Sequence, residues 1–181
     1  MNPSRGPNGV ELRAAVELRA AAGRRLEGYA AVFNREAQIG SFREVVRPGA
    51  FRAALLNPAA DVLLLADHDP TRVLARTSAG NLRLAEDGHG LHFEATLPDT
   101  TAARDAHALV ESRTAGGMSF GFRPVEERWP TKDRRELLAV QLIECSVVSA
   151  FPAYSGTSVA ARARHLAGLP AGARRLVLAT L

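Results

Sequence analysis

The chain has 181 residues, which suits a single domain, and 46% of them are hydrophobic but only 6% aromatic, so the predicted core consists of Ala, Val and Leu. The formal net charge of +4 comes from dispersed arginines, and we therefore expect no specific nucleic-acid partner. The single cysteine excludes an internal disulfide. The sequence has no long apolar run, so we expect no membrane-spanning helix and no membrane partner.

The first quarter of the chain predicts a leader, two strands and a short helix. Residues 1–9 are polar and contain Pro and Gly, which predicts a disordered leader. Residues 26–33 and 42–46 are predicted strands, the first with a bend or bulge at Gly28. Residues 50–56 are a predicted helix that ends before Asn-Pro.

In the next segments, which are short, apolar residues recur at alternate positions. Residues 62–68 predict a strand on which His68 shares one face with the apolar residues Val62, Leu64 and Ala66. Three further strand-length segments follow and are separated by Gly-containing turns, so a meander is predicted. These segments are residues 72–77, 81–85 and 91–97.

The clearest predicted helix covers residues 99–115. Either Asp99 or Thr100 is able to cap its first N–H groups, and Gly116 is the predicted C-terminal stop. An apolar stripe at helical spacing predicts that one face packs against the core, and His107 is predicted on the exposed side.

A strand follows this helix directly, with the sequence Gly-Met-Ser-Phe-Gly-Phe at residues 117–122. Side chains alternate between the faces of a strand, so Ser119 is expected on the face opposite the Met and Phe side chains, beside Gly121. Residues 123–135 are polar and predict a long hairpin loop or surface flap. Residues 137–148 predict a strand with Glu144 on an otherwise apolar face.

Many short strands and one good helix predict a mainly β (α+β) fold. We expect a single closed or nearly closed β-barrel with helices packed outside it. The predicted domain covers residues 10–157, and residues 158–181 form an Ala/Arg-rich tail.

Three polar residues at strand positions suggest hydrolytic chemistry. A histidine and an acid on apolar faces are costly to bury unless they pair, and His68 and Glu144 are suited to each other if their strands are neighbours. Ser119 would then lie within reach of His68. A serine nucleophile needs a base, and the base needs a third polar group to hold its tautomer.

Simpler interpretations of these residues remain open at this point. A lone histidine at a strand end is more often structural, and Glu144 would face solvent if its strand were at an edge. A zinc site of His89, His92 and His107 is a further alternative, but His92 fits the solvent face of a strand and no Cys or acid pair completes the ligand set. We predict no metal and no cofactor.

Six segments, in this order, resemble the prohead (capsid maturation) serine proteases of tailed bacteriophages, which are relatives of the herpesvirus assemblins. The resemblance extends over about residues 25–160. The segments begin with Gly28-Tyr29-Ala30-Ala31-Val32-Phe33, Glu44-Val45-Val46-Arg47-Pro48-Gly49-Ala50-Phe51 and Leu65-Ala66-Asp67-His68-Asp69. They end with Glu86-Asp87-Gly88-His89-Gly90-Leu91, Gly117-Met118-Ser119-Phe120-Gly121-Phe122 and Leu142-Ile143-Glu144-Cys145-Ser146-Val147-Val148 followed by Pro152-Ala153.

The resemblance implies roles for the three polar residues. By position, Ser119 is similar to the family nucleophile, His68 to its general base and Glu144 to the third member, where the herpesvirus relatives use a second histidine. Cys145 stands where many relatives have Val. Backbone N–H groups near Ser119, or Arg123, are the candidate oxyanion donors.

The resemblance also implies a herpesvirus-protease-like barrel, a homodimer, and a location in the bacterial host cytoplasm inside an immature capsid. The expected substrate is scaffold or the N-terminal segment of the major capsid protein, and the enzyme is expected to cut its own tail as well. The alternative is a non-catalytic assembly or scaffolding protein that binds capsid subunits. A nucleic-acid-binding module is a weaker third possibility.

Overall fold

The computed structural model describes residues 9–15, 17–115 and 117–149. Eleven strands and two helices are formed within these ranges. In chain order they are β1 (Glu11–Ala15), β2 (Glu17–Ala21), β3 (Arg25–Val32), β4 (Ala37–Ile39), β5 (Phe42–Val46), α1 (Arg52–Leu56), β6 (Leu63–Ala66), β7 (Asp69–Arg76), β8 (Leu82–Glu86), β9 (Gly90–Thr96), α2 (Thr101–Glu111), β10 (Gly117–Thr131) and β11 (Arg134–Val148).

The larger sheet has seven strands and is organised around the long hairpin β10–β11. Strand β1 pairs with the outer edge of β10, and β11 pairs in parallel with both β5 and β6. Strand β4 extends the sheet beyond β5, and β7 extends it beyond β6. The hairpin therefore lies in the middle of the sheet, with a neighbour on each side.

The smaller sheet has four strands in the order β2-β3-β9-β8. Its apolar side chains and those of the larger sheet belong to one core, which contains Phe93 of β9 together with Phe120 and Phe122 of β10. Helix α2 begins at its cap residue Thr100, whose hydroxyl accepts a hydrogen bond from the Ala103 N–H at 3.3 Å. The core thus lies between the two sheets, because each buries one apolar face.

The mainly β fold with some helix agrees with the sequence prediction, but the predicted closed barrel is wrong for the described part of the chain. Both sheets end in edge strands there, and no ring of paired strands is found. None of the described helices is long and apolar enough to cross a membrane.

Two predictions about connectivity are also corrected. The predicted meander is wrong, because β7 belongs to the larger sheet whereas β8 and β9 belong to the smaller one. Residues 123–135, predicted as a long hairpin loop or surface flap, do belong to a hairpin, but they form its paired outer half, and its strands have 15 residues each. A polar segment forms a strand when its backbone pairs with a strand that is distant in sequence. Hydrophobic periodicity carries no information about such pairing.

A β-bulge in β11 corrects the predicted face of Glu144. Gly121 pairs with Glu144 but the next residue, Phe122, pairs with Leu142, so the register skips Ile143. Leu142 consequently packs in the core with Phe122, and Glu144 lies on the opposite face. The sequence prediction placed both on one face, because simple alternation takes no account of an extra residue.

Several predictions fall on residues outside the described ranges. These are most of the leader at 1–9, the helix stop at Gly116, the Pro152-Ala153 segment and the tail at 158–181. Among the described elements, β5 has the predicted bounds and β9 differs from them by one residue at each end.

Candidate active site

His68 lies in the two-residue turn that joins β6 to β7. Both turn residues, Asp67 and His68, have positive φ, at 54° and 63°. Two-residue hairpin turns of type I′ require positive φ at both positions, and Asp and His tolerate it better than most residues. The turn therefore directs the imidazole, and the strand prediction for His68 is wrong because β6 ends at Ala66.

The imidazole of His68 meets the carboxylate of Glu144. His68 Nδ1 lies 2.7 Å from Glu144 Oε1, and the two side chains are 19% and 9% exposed. A carboxylate only accepts hydrogen bonds, so we assign the proton to Nδ1, which then donates it to Oε1. The sequence prediction that these two residues pair is supported by this geometry, although neither lies on the predicted face.

Ser146 connects the two partners from the other side. Its hydroxyl donates to Glu144 Oε2 at 2.5 Å and accepts from the His68 backbone N–H at 3.2 Å. Ser146 is fully buried. The sequence analysis assigned it no role; the available signal was a small polar residue two positions beyond the acid on a strand of apolar residues.

Gly121 provides the space in which the Glu144 side chain lies. A Cβ built on Gly121 would stand 2.5 Å from Glu144 Oε1 and 3.1 Å from its Cδ and Cγ. A glycine within a strand lets another group come close to its backbone. At Gly121 the group that comes close is the side chain of Glu144, the predicted third triad member.

Ser119 lies on the same face, one strand away from the pair. It is directly opposite Ser146 in the register of β10 and β11, and Gly121 is opposite Glu144. Paired residues project to the same face, with Cβ atoms about 4.5–5.5 Å apart. The structure therefore brings Ser119 beside Ser146. The pairing of the strands, and not a hydrogen bond between Ser119 and His68, determines where Ser119 lies relative to His68.

The three predicted residues thus come from three neighbouring segments of the larger sheet: the turn after β6, the start of β10 and the end of β11. The profile of the family described as caudovirus prohead serine protease matches residues 11–170. The chain belongs to this family. The resemblance stated from the six sequence segments is thereby confirmed.

Two known proteins are similar to the chain. It is 32% identical over 139 residues to the prohead protease of Enterobacteria phage HK97, and the alignment covers 75% of this chain and 58% of that relative. The chain therefore spans little more than half the length of that prohead protease. The solved capsid assembly protease of bacteriophage T4 superposes with a TM-score of 0.52 over 77% of this chain and 96% of that one, at 10% identity, and this likeness concerns the fold.

Asp67 connects the turn of His68 to the end of β11. Its carboxylate accepts hydrogen bonds from the Ser149 N–H at 2.7 Å and the Ser149 hydroxyl at 3.0 Å. The Asp67 N–H also donates to the Val147 carbonyl at 2.8 Å. The turn that holds His68 is therefore fastened to the end of β11.

Cys145 is next to Glu144 in sequence but lies on the other face of β11, in the core. Burial, together with the charge of Glu144, raises the pKa of its thiol far above the usual range. A buried thiol with a raised pKa is a poor nucleophile at neutral pH. Ser119 is consequently the better candidate nucleophile on this part of the hairpin.

The histidines of the alternative zinc hypothesis are used in other contacts. His89 contacts Glu17 at 3.0 Å, and His92 packs edge-on against Tyr29 and lines a groove of about 510 Å³ on the smaller sheet. His107 was predicted to be exposed but is half-buried, with Nε2 3.4 Å from the Ala21 carbonyl. Within the described ranges, no cluster of three or more His, Cys, Asp or Glu is placed to hold a metal.

Proposed function

We propose that this chain is a serine endopeptidase of capsid maturation that uses Ser119 as nucleophile, His68 as general base and Glu144 as the residue that orients the base. The observation that carries the proposal is the contact between His68 Nδ1 and Glu144 Oε1 beside the strand of Ser119. Membership of the prohead serine protease family supports the same assignment.

In the proposed mechanism, each residue has one task. Glu144 holds the proton of His68 on Nδ1, which leaves Nε2 as the ring nitrogen that takes the proton from the Ser119 hydroxyl. The oxygen attacks the scissile carbonyl, and the protonated imidazole returns its proton to the leaving amine. His68 is the most exposed of the three, so a substrate approaches from its side of the sheet.

The oxyanion donors are proposed to be backbone N–H groups close to Ser119. Arg123 was the other candidate, and it lies four residues further along β10, or about 13 Å at the usual strand rise. Oxyanion donors must lie about 2.7–3.1 Å from the developing charge. This distance along the strand favours the backbone groups over the Arg123 guanidinium.

The proposed substrates are scaffold or the N-terminal segment of the major capsid protein, and the enzyme's own tail at 158–181. The supporting observation is that the similar proteins act in phage capsid assembly, by their names as prohead protease and capsid assembly protease. We further propose residues 10–157 as the protease domain, a homodimer, an ancestry shared with the herpesvirus proteases, and action inside the immature capsid in the host cell.

The test is to compare the full chain with its Ser119→Ala variant. Each is co-expressed with the capsid and scaffold proteins of the same gene cluster, and intact masses are measured. A biotinylated fluorophosphonate, which labels activated serines, is a second probe. We expect discrete fragments and labelling only with Ser119 present, and a rate loss of about 10³-fold or more in the variant.

Ser112→Ala is the matched control, because Ser112 is an exposed serine at the end of α2. It should cleave and label as the unmodified chain does. Cleavage by Ser119→Ala at the full rate would overturn the proposed nucleophile. Normal capsid maturation with no labelling of either protein would favour the non-catalytic assembly role.

A further inference from the structure

Ser146 is a buried hydroxyl that touches both members of the His68–Glu144 pair. Its proton goes to Glu144 Oε2 and its lone pair accepts the His68 backbone N–H, at 2.5 and 3.2 Å. The other carboxylate oxygen, Oε1, is the one that faces His68 Nδ1. Both oxygens of Glu144 are therefore engaged, one by the imidazole and one by Ser146.

From this geometry we propose that Ser146 is a positioning residue that fixes the carboxylate plane of Glu144 and the turn of His68 in one unit. The inference rests on the proposed function of His68 and Glu144. Ser146 itself touches no substrate. It acts by keeping Oε1 aimed at Nδ1, which holds the neutral imidazole in the tautomer whose Nε2 is unprotonated.

Two features of Ser146 make water a poor substitute for its hydroxyl. Ser146 is fully buried, with an exposed fraction of 0%, and the whole Glu144 residue is only 7% exposed. Loss of the hydroxyl leaves a buried carboxylate oxygen and a partly buried N–H without this partner. The carboxylate is then free to rotate away from Nδ1, so the effect falls on the chemical step rather than on binding.

The test measures fluorophosphonate labelling of Ser119 in the full chain and in three variants: Ser146→Ala, Ser146→Thr and Ser149→Ala. We expect Ser146→Ala to lower the maximal inactivation rate about 10- to 100-fold. The probe concentration for half-maximal rate should stay within about 2-fold. Thr retains the hydroxyl and should restore most of the rate.

Ser149→Ala is the matched control, because its hydroxyl also fastens the turn, through Asp67 rather than through the pair. It should label at close to the normal rate. Equal losses in Ser146→Ala and Ser149→Ala would show that Ser146 only anchors the turn, and a normal rate in Ser146→Ala would overturn the proposal outright.

A second readout does not depend on activity. In ¹⁵N-histidine NMR, with His68→Gln used for assignment, the full chain should show a slowly exchanging Nδ1–H on His68. Ser146→Ala should lose this signal or show mixed tautomers, and an unchanged signal contradicts the inference. If the full chain neither labels nor cleaves, the proposed function fails, whereas the NMR comparison still decides the role of Ser146.

Discussion

At the scale of single residues, the addition of one carbon at Gly121 should disturb the candidate active site more than the stability of the fold. A Cβ there would overlap the end of the flexible Glu144 side chain, not a backbone atom. The side chain is able to move aside at the expense of its buried hydrogen bonds, so the fold should tolerate Gly121→Ala with a loss of about 1–3 kcal/mol. The carboxylate would then no longer face His68 Nδ1.

We therefore expect Gly121→Ala to lower the cleavage rate about 100-fold, the effect of a misplacement of about 1 Å in an active site. Gly88→Ala is the matched control, since a Cβ at Gly88 meets nothing within 4 Å and its φ is not in the left-handed region. Parallel rate assays and urea unfolding of both variants make the measurement. An unimpaired Gly121→Ala enzyme would contradict the role given to Glu144.

The three candidate residues and the pairing of His68 with Glu144 were predicted from the sequence, but the residues that hold this pair in place were not. Ser119, His68 and Glu144 stand out because polar groups in apolar strands need partners. Ser146 and Gly121 do not stand out, since a small residue on a strand is ordinary until the opposite strand is known. Their importance follows from the register of β10 and β11, which joins residues more than 20 positions apart.

At the scale of elements, the backbone conformation of the turn between β6 and β7 determines which substitution of His68 destabilises the fold least. His68 has a φ of 63°, a conformation that is unfavourable for alanine and free for glycine. We expect His68→Gly and His68→Ala to be equally inactive. His68→Gly should nevertheless be the more stable by about 1 kcal/mol in urea unfolding.

His89 supplies the control for this comparison, because it lies in a turn without positive φ. There the order should reverse, and His89→Gly should be less stable than His89→Ala. The same order at both positions would show that the backbone of His68 does not have the conformation described.

The strands themselves were predicted unevenly, and the reason is physical. Strands β5 and β9 are short and are bounded by turn residues, and β9 also alternates regularly, so the local pattern is sufficient. The outer half of the hairpin is polar on both sides and is ordered by pairing with its partner strand. Closure of the sheets also depends on long-range pairing, and the barrel prediction failed for that reason.

At the scale of the whole molecule, a buried ion-pair network fastens β1 to the larger sheet. Arg13 contacts Glu11 and Glu44, and Arg135 contacts Glu11, Glu44 and Glu127. Glu11, Glu44, Arg13 and Arg135 are all buried. In a second group, Arg47, which follows β5, and Arg128 of the hairpin both contact Glu136 of β11.

These carboxylates make stability depend on pH. Burial alone would raise the pKa of Glu11, but hydrogen bonds and charge from Arg135 and Arg13 outweigh it and lower the pKa. Hydrogen bonds from Arg47 and Arg128 lower the pKa of Glu136 to about 2. A carboxyl whose pKa is lower in the folded state contributes stability above its unfolded value and loses that contribution as the pH falls.

We therefore expect the free energy of unfolding to be constant near neutral pH and to fall steadily from about pH 4.3 towards about pH 2. Urea titrations at a series of pH values measure it. The Glu136→Gln variant should show a shallower decline, since it lacks one of the titrating groups. Stability that does not change over this range would contradict the ion-pair network.

The extra residue at Ile143 has a consequence for how this hairpin tolerates sequence change. The bulge puts the inner and outer halves of β11 out of phase, so Leu142 packs in the core whereas Glu144, two positions away, meets His68 on the opposite face. Substitutions of core residues in the outer half of β11 therefore change side chains that do not lie on the face of Glu144. Selection is thereby able to adjust core packing along this strand without changing the side chains that meet His68.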